Sequence, residues 1–301
     1  MKSLLLLTVF LILLTSLCIN LQFPINVFPS DNQTNNPLSI SSESQDILFK
    51  VDVSASEVKA DRPLQFFFET TNKQGYNLRN VAVEVYDNPC LVLSGSTIGT
   101  FTNTTPTLKA NQTKMWTLTL KAKSLEPKLQ KNCPIKFKFS YEADYSLFQD
   151  IAILSEGEYT QRDSAGTLGD IPISSTSSNS PFGVGITFSE DQPLTVNTDS
   201  NNTYFMYVNY YNNGQGLFKS IDVSITPSAN MNNLKCHLYS SSGNKLKIDS
   251  PSSIVFIRDK ATPTTCSFTT SDVASMDVKS LSLTANYKYV LDNSITIVVK
   301  P

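Results

Sequence analysis

The chain has 301 residues, 40% of them hydrophobic and 17% charged, with a formal net charge of -2 at pH 7. That apolar content is enough for real cores and excludes global disorder, and at roughly 100–200 residues per domain the length suggests two domains. No basic run exceeds isolated lysine pairs, so neither nucleic acid nor a polybasic contact with anionic lipid is expected.

Lys2 precedes an apolar run from Leu4 to Leu17, broken only by Thr8, Thr15 and Ser16. This is the pattern of a signal peptide or signal anchor over residues 1–21, expected as one hydrophobic helix. Lys2 is the only cation before Lys50, which keeps the N-terminus inside and sends the bulk outside. Extended to Leu21 the run just spans a bilayer, so residues 4–21 are the expected membrane contact. Ser16 and Cys18 also allow cleavage after Cys18, and Cys18 raises lipidation, although Leu17 is bulky for that signal. The protein is therefore expected at the cell membrane with an extracellular bulk, or secreted. Residues 22–45, rich in Asn, Ser and Pro, read as a polar spacer.

From Ile47 the pattern changes to short alternating runs. Leu64 to Thr71 contains three consecutive phenylalanines and reads as a strand buried on nearly both faces. Val81, Val83 and Val85 alternate with polar or small residues, as do Trp116, Leu118 and Leu120. From Ile135 to Ala143 the odd positions are apolar and the even ones polar, the signature of a half-buried strand. Turn signals recur about every ten residues, and no helical periodicity is visible after the leader. Residues 46–155 thus read as one β-sandwich. Residues 156–182, with glycines and the run Ser174 to Ser180, read as a linker whose first part (Tyr159, Leu168, Ile171) packs on it. Residues 183–301 read as a second sandwich. Tyr204, Met206, Val208 and Tyr210 form its presumed core face, and Phe205, Tyr207 and Tyr211 lie opposite. Burial of both faces is expected there, with an exposed aromatic binding patch as the alternative.

The halves look like copies of one unit. Asn72, Gly75, Val81 and Val83 in the first match Asn213, Gly216, Ile221 and Val223 in the second. A C-terminal hairpin also recurs, with Tyr141 to Ile151 resembling Tyr287 to Ile297.

Cys90, Cys133, Cys236 and Cys266 fall two to each half, with no spacing that suggests zinc. In an exported chain they read as disulfides Cys90–Cys133 and Cys236–Cys266, each contributing roughly 3–4 kcal/mol in the chain-entropy model. Cys133 and Cys266 occupy different places in the repeat, so the two staples are not expected to be equivalent.

Candidate chemistry is sparse. His237 is the only histidine; no Ser-His-Asp triad is expected around it, and beside Cys236 on a strand it would point to the opposite face. Glu142/Asp144 and Glu190/Asp191 are the carboxylate pairs that a glycosidase or a weak calcium site would use; on a strand Glu142 and Asp144 share the solvent face. No catalytic residue, metal site or cofactor is assigned. Asn32, Asn103, Asn111 and Asn201 head Asn-x-Ser/Thr sequons and are candidate N-glycosylation sites.

The segments Phe67 to Asn72, Gly75 and Leu78 to Val85, and again Tyr207 to Gly214 and Ile221 to Ile225, resemble the CARDB and NEW3 group of immunoglobulin-like domains. That resemblance covers residues 47–153 and 183–301. It implies an all-β fold, two tandem immunoglobulin-like β-sandwiches after the N-terminal helix, and a binding or spacing role without catalysis. The expected function is a non-enzymatic cell-surface binding or scaffold protein, with a protein or a surface glycan as partner. The alternatives are an accessory binding subunit of an envelope or secretion complex, whose edge strands pair with a partner, and an unrecognised enzyme such as a glycosidase.

Overall fold

Alternation of period two becomes strand nearly everywhere in the computed structural model, which describes residues 38–43, 47–93, 101–126, 129–196, 202–228, 231–242, 245–270 and 273–301. The leader, Asn32 and Asn201 lie outside the described residues. The first half holds β1 (Leu38–Glu43), β2 (Ile47–Val53), β3 (Glu57–Lys59), β4 (Pro63–Asn72) and β5 (Leu78–Asp87). It continues with β6 (Leu91–Leu93), β7 (Phe101–Leu108), β8 (Thr113–Ala122) and β9 (Lys131–Ser155). Helix α1 (Glu156–Ala165) follows, then β10 (Ser175–Ser177), β11 (Phe182–Phe188), β12 (Leu194–Val196), β13 (Thr203–Asn212) and β14 (Leu217–Thr226). The last elements are β15 (Met231–Cys236), β16 (Tyr239–Ser242), β17 (Lys245–Ile248), β18 (Phe256–Ile257), β19 (Lys260–Ala261), β20 (Thr264–Thr270) and β21 (Met276–Lys300).

Three sheets make two layers. One layer is a ten-stranded sheet in the order β16-β17-β14-β21-β9-β5-β7, with β10 and β12 also on β9 and β3 on β21. Against it lie a five-stranded sheet, β1-β2-β4-β8-β6, and a six-stranded sheet, β15-β20-β13-β19-β18 with β11 on β13. Odd residues of β9 and β21 are buried along most of both strands, so both smaller sheets pack on the same face. Phe49 meets Phe137 and Phe139 on one side, and Phe182 meets Tyr145 and Tyr287 on the other. Tyr141 and Tyr289, opposite one another across the ladder, join the two regions edge to face at 5.8 Å. One contiguous core therefore runs from Ile47 to Val299.

The expected hairpins are absent. β9 and β21 are each 25 residues long and pair antiparallel from Lys131–Val299 to Leu154–Met276. At about 3.3 Å per residue each spans roughly 80 Å, far beyond the usual 3–10-residue strand. The physical reason is legible afterwards. Residues 135 to 153 keep apolar side chains at nearly every odd position with no Gly or Pro among them, so no turn residue interrupts the strand that pairs with β21. Residues 143–155 of β9 run on into the second half, where β12 lies parallel to Ile153–Ser155. The end of β21 returns the exchange, with β3 parallel to Val298–Lys300 in the first half.

The repeat itself is visible in two buried asparagines. Asn72 Nδ2 donates to the carbonyls of Tyr76, Leu108 and Lys109, and its Oδ1 accepts from Gln74 N–H. Asn212 repeats the core of this arrangement, donating to Gly216 O and accepting from Gly214 N–H. Asn72 thus matches Asn212, one residue before the Asn213 expected from sequence; the buried amide, not the neighbouring glycine, sets the alignment. In the same register Val83–Phe139 matches Val223–Ala285, and Val85–Phe137 matches Ile225–Leu283. Carried along the strands, this makes Glu142 the counterpart of Lys288, and those two residues face each other in the β9–β21 ladder. An approximate two-fold axis passes through that pair.

Two further expectations change. Residues 38–43, expected within the spacer, form β1 on the edge of the five-stranded sheet, with Leu38 and Ile40 against the core. The expected linker contains α1, although no helix was anticipated. Its Ser155 N-cap accepts from Glu158 N–H and its Gly166 C-cap is left-handed at φ 68, so capping rather than an apolar stripe defines it. The helix buries no residue, hence the missing periodicity. Tyr159, Leu168 and Ile171 pack with Ala152 and Leu154 near the end of β9, in the part that runs into the second half rather than on the first as expected.

Candidate functional site

A depression of about 800 Å³ lies beside the pseudo-two-fold axis. β5 contributes Arg79, β9 Asp144 and Ser146, β21 Thr284 and Asn286, β14 Asp222 and Ser224, and β17 Lys247. Register aligns three of them in one polar row, Asp222 facing Asn286 and Asn286 facing Asp144, while Arg79 stands opposite Glu142 and reaches the row through its side chain. Arg79 grips Asp144 through two parallel bonds of 2.7 and 2.8 Å, and Asn286 donates to the same carboxylate at 2.9 Å. Lys247 pairs with Asp222 at 3.1 Å. Asn80, at φ 47 in the irregular part of β5, donates to Glu142 at 2.8 Å.

Partial burial would raise the Asp144 carboxyl pKa, but the hydrogen bonds from Arg79 and Asn286 outweigh it and hold it below the ordinary value. A glycosidase acid needs the opposite shift. Glu142 and Asp144 do share the outer face as expected, but Asp144 is committed to Arg79. Glu190 and Asp191 sit exposed just after β11. Among the described residues no group of three or more His, Cys, Asp or Glu could hold a metal ion. His237 is exposed in the turn between β15 and β16, its N–H donating to Thr265 O. The polar row was missed from sequence because Arg79, Asp144, Asp222 and Asn286 meet only through long-range register.

The second feature is the outer face of the six-stranded sheet. Tyr204, Met206, Val208 and Tyr210 are buried as expected, but Phe205 is 46% and Tyr207 38% exposed. Burial of both faces is thus corrected: the even side of β13 meets the core, and no layer covers the odd side among the described residues. Tyr211 is more sheltered, its ring lying 3.3 Å from where a Cβ on Gly185 would stand. Ser267 and Thr265 flank Phe205 and Tyr207 on β20, and Thr187 flanks Tyr207 on β11. The corresponding face of the first half carries paired charges, with Lys50 bonded to Asp52 at 2.7 Å and Glu69 on the next strand, whereas the second has lysines at its margins, Lys235 opposite Ser267 and Lys260 opposite Tyr211.

The four cysteines form two disulfides, Cys90–Cys133 and Cys236–Cys266. The first ties the segment before β6 to β9 and so joins the two layers. The second joins facing residues of β15 and β20 within one sheet. Disulfides of this kind suit an oxidising compartment. Asn103 is half-exposed on β7, and Asn111 is exposed in a turn at φ 56. Among the described residues no helix is long and apolar enough to cross a membrane.

No protein-family model matches the sequence, and no curated protein matches it. Among solved structures, red sea bream transglutaminase aligns at 12% identity over 84% of this chain and 31% of its own, with a TM-score of 0.20. The collagen adhesin of S. aureus aligns at 13% identity over 86% of this chain and 92% of its own, with a TM-score of 0.14. The chain spans less than a third of the transglutaminase's length. At such TM-scores neither likeness carries an argument.

Proposed function

We propose that this protein is a non-catalytic, exported binding module, secreted or anchored through residues 4–21, that presents the outer face of its second half to a protein or a surface glycan. The carrying observation is the exposed pair Phe205 and Tyr207 on a strand whose other face is fixed in the core. Aromatic rings supply large contact area at little entropic cost, and the neighbouring Ser267, Thr265 and Thr187 offer hydroxyls without charge. The two disulfides support the compartment. Asn103 and Asn111, if glycosylated, would decorate the first half and leave this face open.

The test uses labelled full-length ectodomain on intact envelopes of the producing cells. A Phe205→Ser/Tyr207→Ser double variant should lose at least about tenfold in binding, the scale of one good aromatic contact, with an unchanged unfolding midpoint. Equal binding by the variant overturns the proposal. Recovery of the native protein from the cytosol with reduced thiols would overturn export.

A further inference from the structure

β11 takes the place in the second half that β2 takes in the first. Each runs antiparallel to the strand that ends in the buried asparagine, with Phe182 opposite Asn212 and Ile47 opposite Asn72. The far edge of β2 is covered by β1, whose Ser42, Ile40 and Leu38 stand opposite Phe49, Val51 and Val53. The matching positions of β11 are Val184, Ile186 and Phe188. The Tyr145 hydroxyl closes the first, accepting from Val184 N–H at 3.1 Å and lying 3.4 Å from Val184 O. Beyond it, among the described residues, β11 pairs with β13 alone.

The direction of the free groups follows from the ladder. Ser189 N–H donates to Phe205 O, so odd residues of β11 bond to β13 and even ones turn their N–H and C=O outward. Ile186 and Phe188 therefore present open backbone, while their half-buried side chains rest on the core. Natural sheets usually guard such an edge with charge, proline or a bulge. The segment Phe-Gly-Val-Gly-Ile-Thr-Phe has no charged residue and no proline, and its pairing with β13 is regular.

We infer that this edge receives an extended strand from another protein, added antiparallel to β11, with apolar side chains at alternate positions. The first half specifies the occupant. There the equivalent edge is closed by β1, a strand from outside the repeat in which Leu38 and Ile40 point to the core and Ser39 lies between them. A second copy's β1 is already engaged on its own β2. Main-chain bonds would provide affinity, and apolar side chains beside Ile186 and Phe188 would provide selectivity. The inference rests on the internal repeat and would survive failure of the export reading or of the aromatic face.

Amide exchange of the full chain tests it, with a synthetic peptide of residues 36–45 as the probe. In the free monomer the Ile186 and Phe188 amides should exchange roughly 100-fold or more faster than those of Val51 and Val53. Saturating peptide should slow Ile186 and Phe188. Peptide N-methylated at Ile40 should not, because its ladder donor is gone. An Ile186→Pro protein should refuse the peptide as well, since proline is tolerated where the N–H faces outward; the N-methyl arm stands should that variant fold poorly. Slow exchange in the free monomer, protection that rises with protein concentration as a dimer forms, no effect of peptide even at millimolar levels, or equal protection by the N-methylated peptide would each overturn the inference.

Discussion

The two halves share one topology and differ in nearly everything laid upon it. The first has its edge covered by β1, a charged outer face around Lys50 and Asp52, and a disulfide between layers. The second, among the described residues, has an unpaired β11 edge, an aromatic outer face with Lys235 at the end of its row and no ion pair beside Phe205 and Tyr207, and a disulfide between neighbouring strands. What they hold in common is what the fold requires: the buried asparagine, the strand after it, and the long exchanged strand. The lesson is that the interlock keeps position while the outer surfaces vary, so chemistry aimed at a partner is sought where the halves differ.

The comparison can be broken first at the staples. Replacing Cys90 and Cys133 by alanine should cost about 4 kcal/mol in the chain-entropy model, measured by denaturant unfolding. The Cys236–Cys266 bond closes a somewhat shorter loop, with 30 against 43 residues of separation, between strands already paired; removing it should cost less. Equal losses would mean that linking the layers adds nothing beyond loop closure.

The asparagines come next. Asn72→Ala leaves Tyr76 O, Leu108 O, Lys109 O and Gln74 N–H without this partner and should cost about 3 kcal/mol, with Asn212→Ala slightly less costly. A neutral result at either site would deny it a role in the repeat.

Two turn glycines differ more sharply, although in the asparagine register Gly216 matches Tyr76 and not Gly75. A Cβ on Gly216 would collide with the Val290 carbonyl oxygen and the Tyr289 ring, whereas one on Gly75 meets nothing within 4 Å. Gly216→Ala should therefore lose about 1–3 kcal/mol and Gly75→Ala almost nothing, in the same unfolding assay.

The smallest effect belongs to the polar row. Asp144→Asn should cost no more than about 1 kcal/mol at neutral pH, because the pair with Arg79 is largely exposed. Since the folded carboxyl titrates below the unfolded one, its contribution is present above the ordinary carboxylate range. It disappears as pH falls through the folded value. A wild type and variant that diverge further in acid would contradict this sign.

Local patterns in the sequence carried much of this. Odd-position apolar residues marked the buried face of β9, and two cysteines per half matched the pairs that join. Valine ladders marked β5 and β14. Three features resisted because they depend on distant partners. Whether Tyr141 to Ile151 turns back or runs on is decided by β21, more than a hundred residues away. Phe205 and Tyr207 read like core until the number of layers is known. Leu38 and Ile40 look like spacer unless β2 offers them an edge. Helix α1 was missed for a local reason: Ser155 and Gly166 announced its ends, but no apolar stripe filled its middle.

Strand exchange is the central claim, and a pair of engineered cysteines tests it directly. Lys138 faces Asp292, and Ser146 faces Thr284, across the β9–β21 ladder on the solvent side. Lys138→Cys/Asp292→Cys and Ser146→Cys/Thr284→Cys should each form an intramolecular disulfide in the monomer under mild oxidation, because facing residues sit within disulfide reach. If β9 and β21 each folded back as a separate hairpin, neither pair would close within the chain, and that result would contradict the exchange.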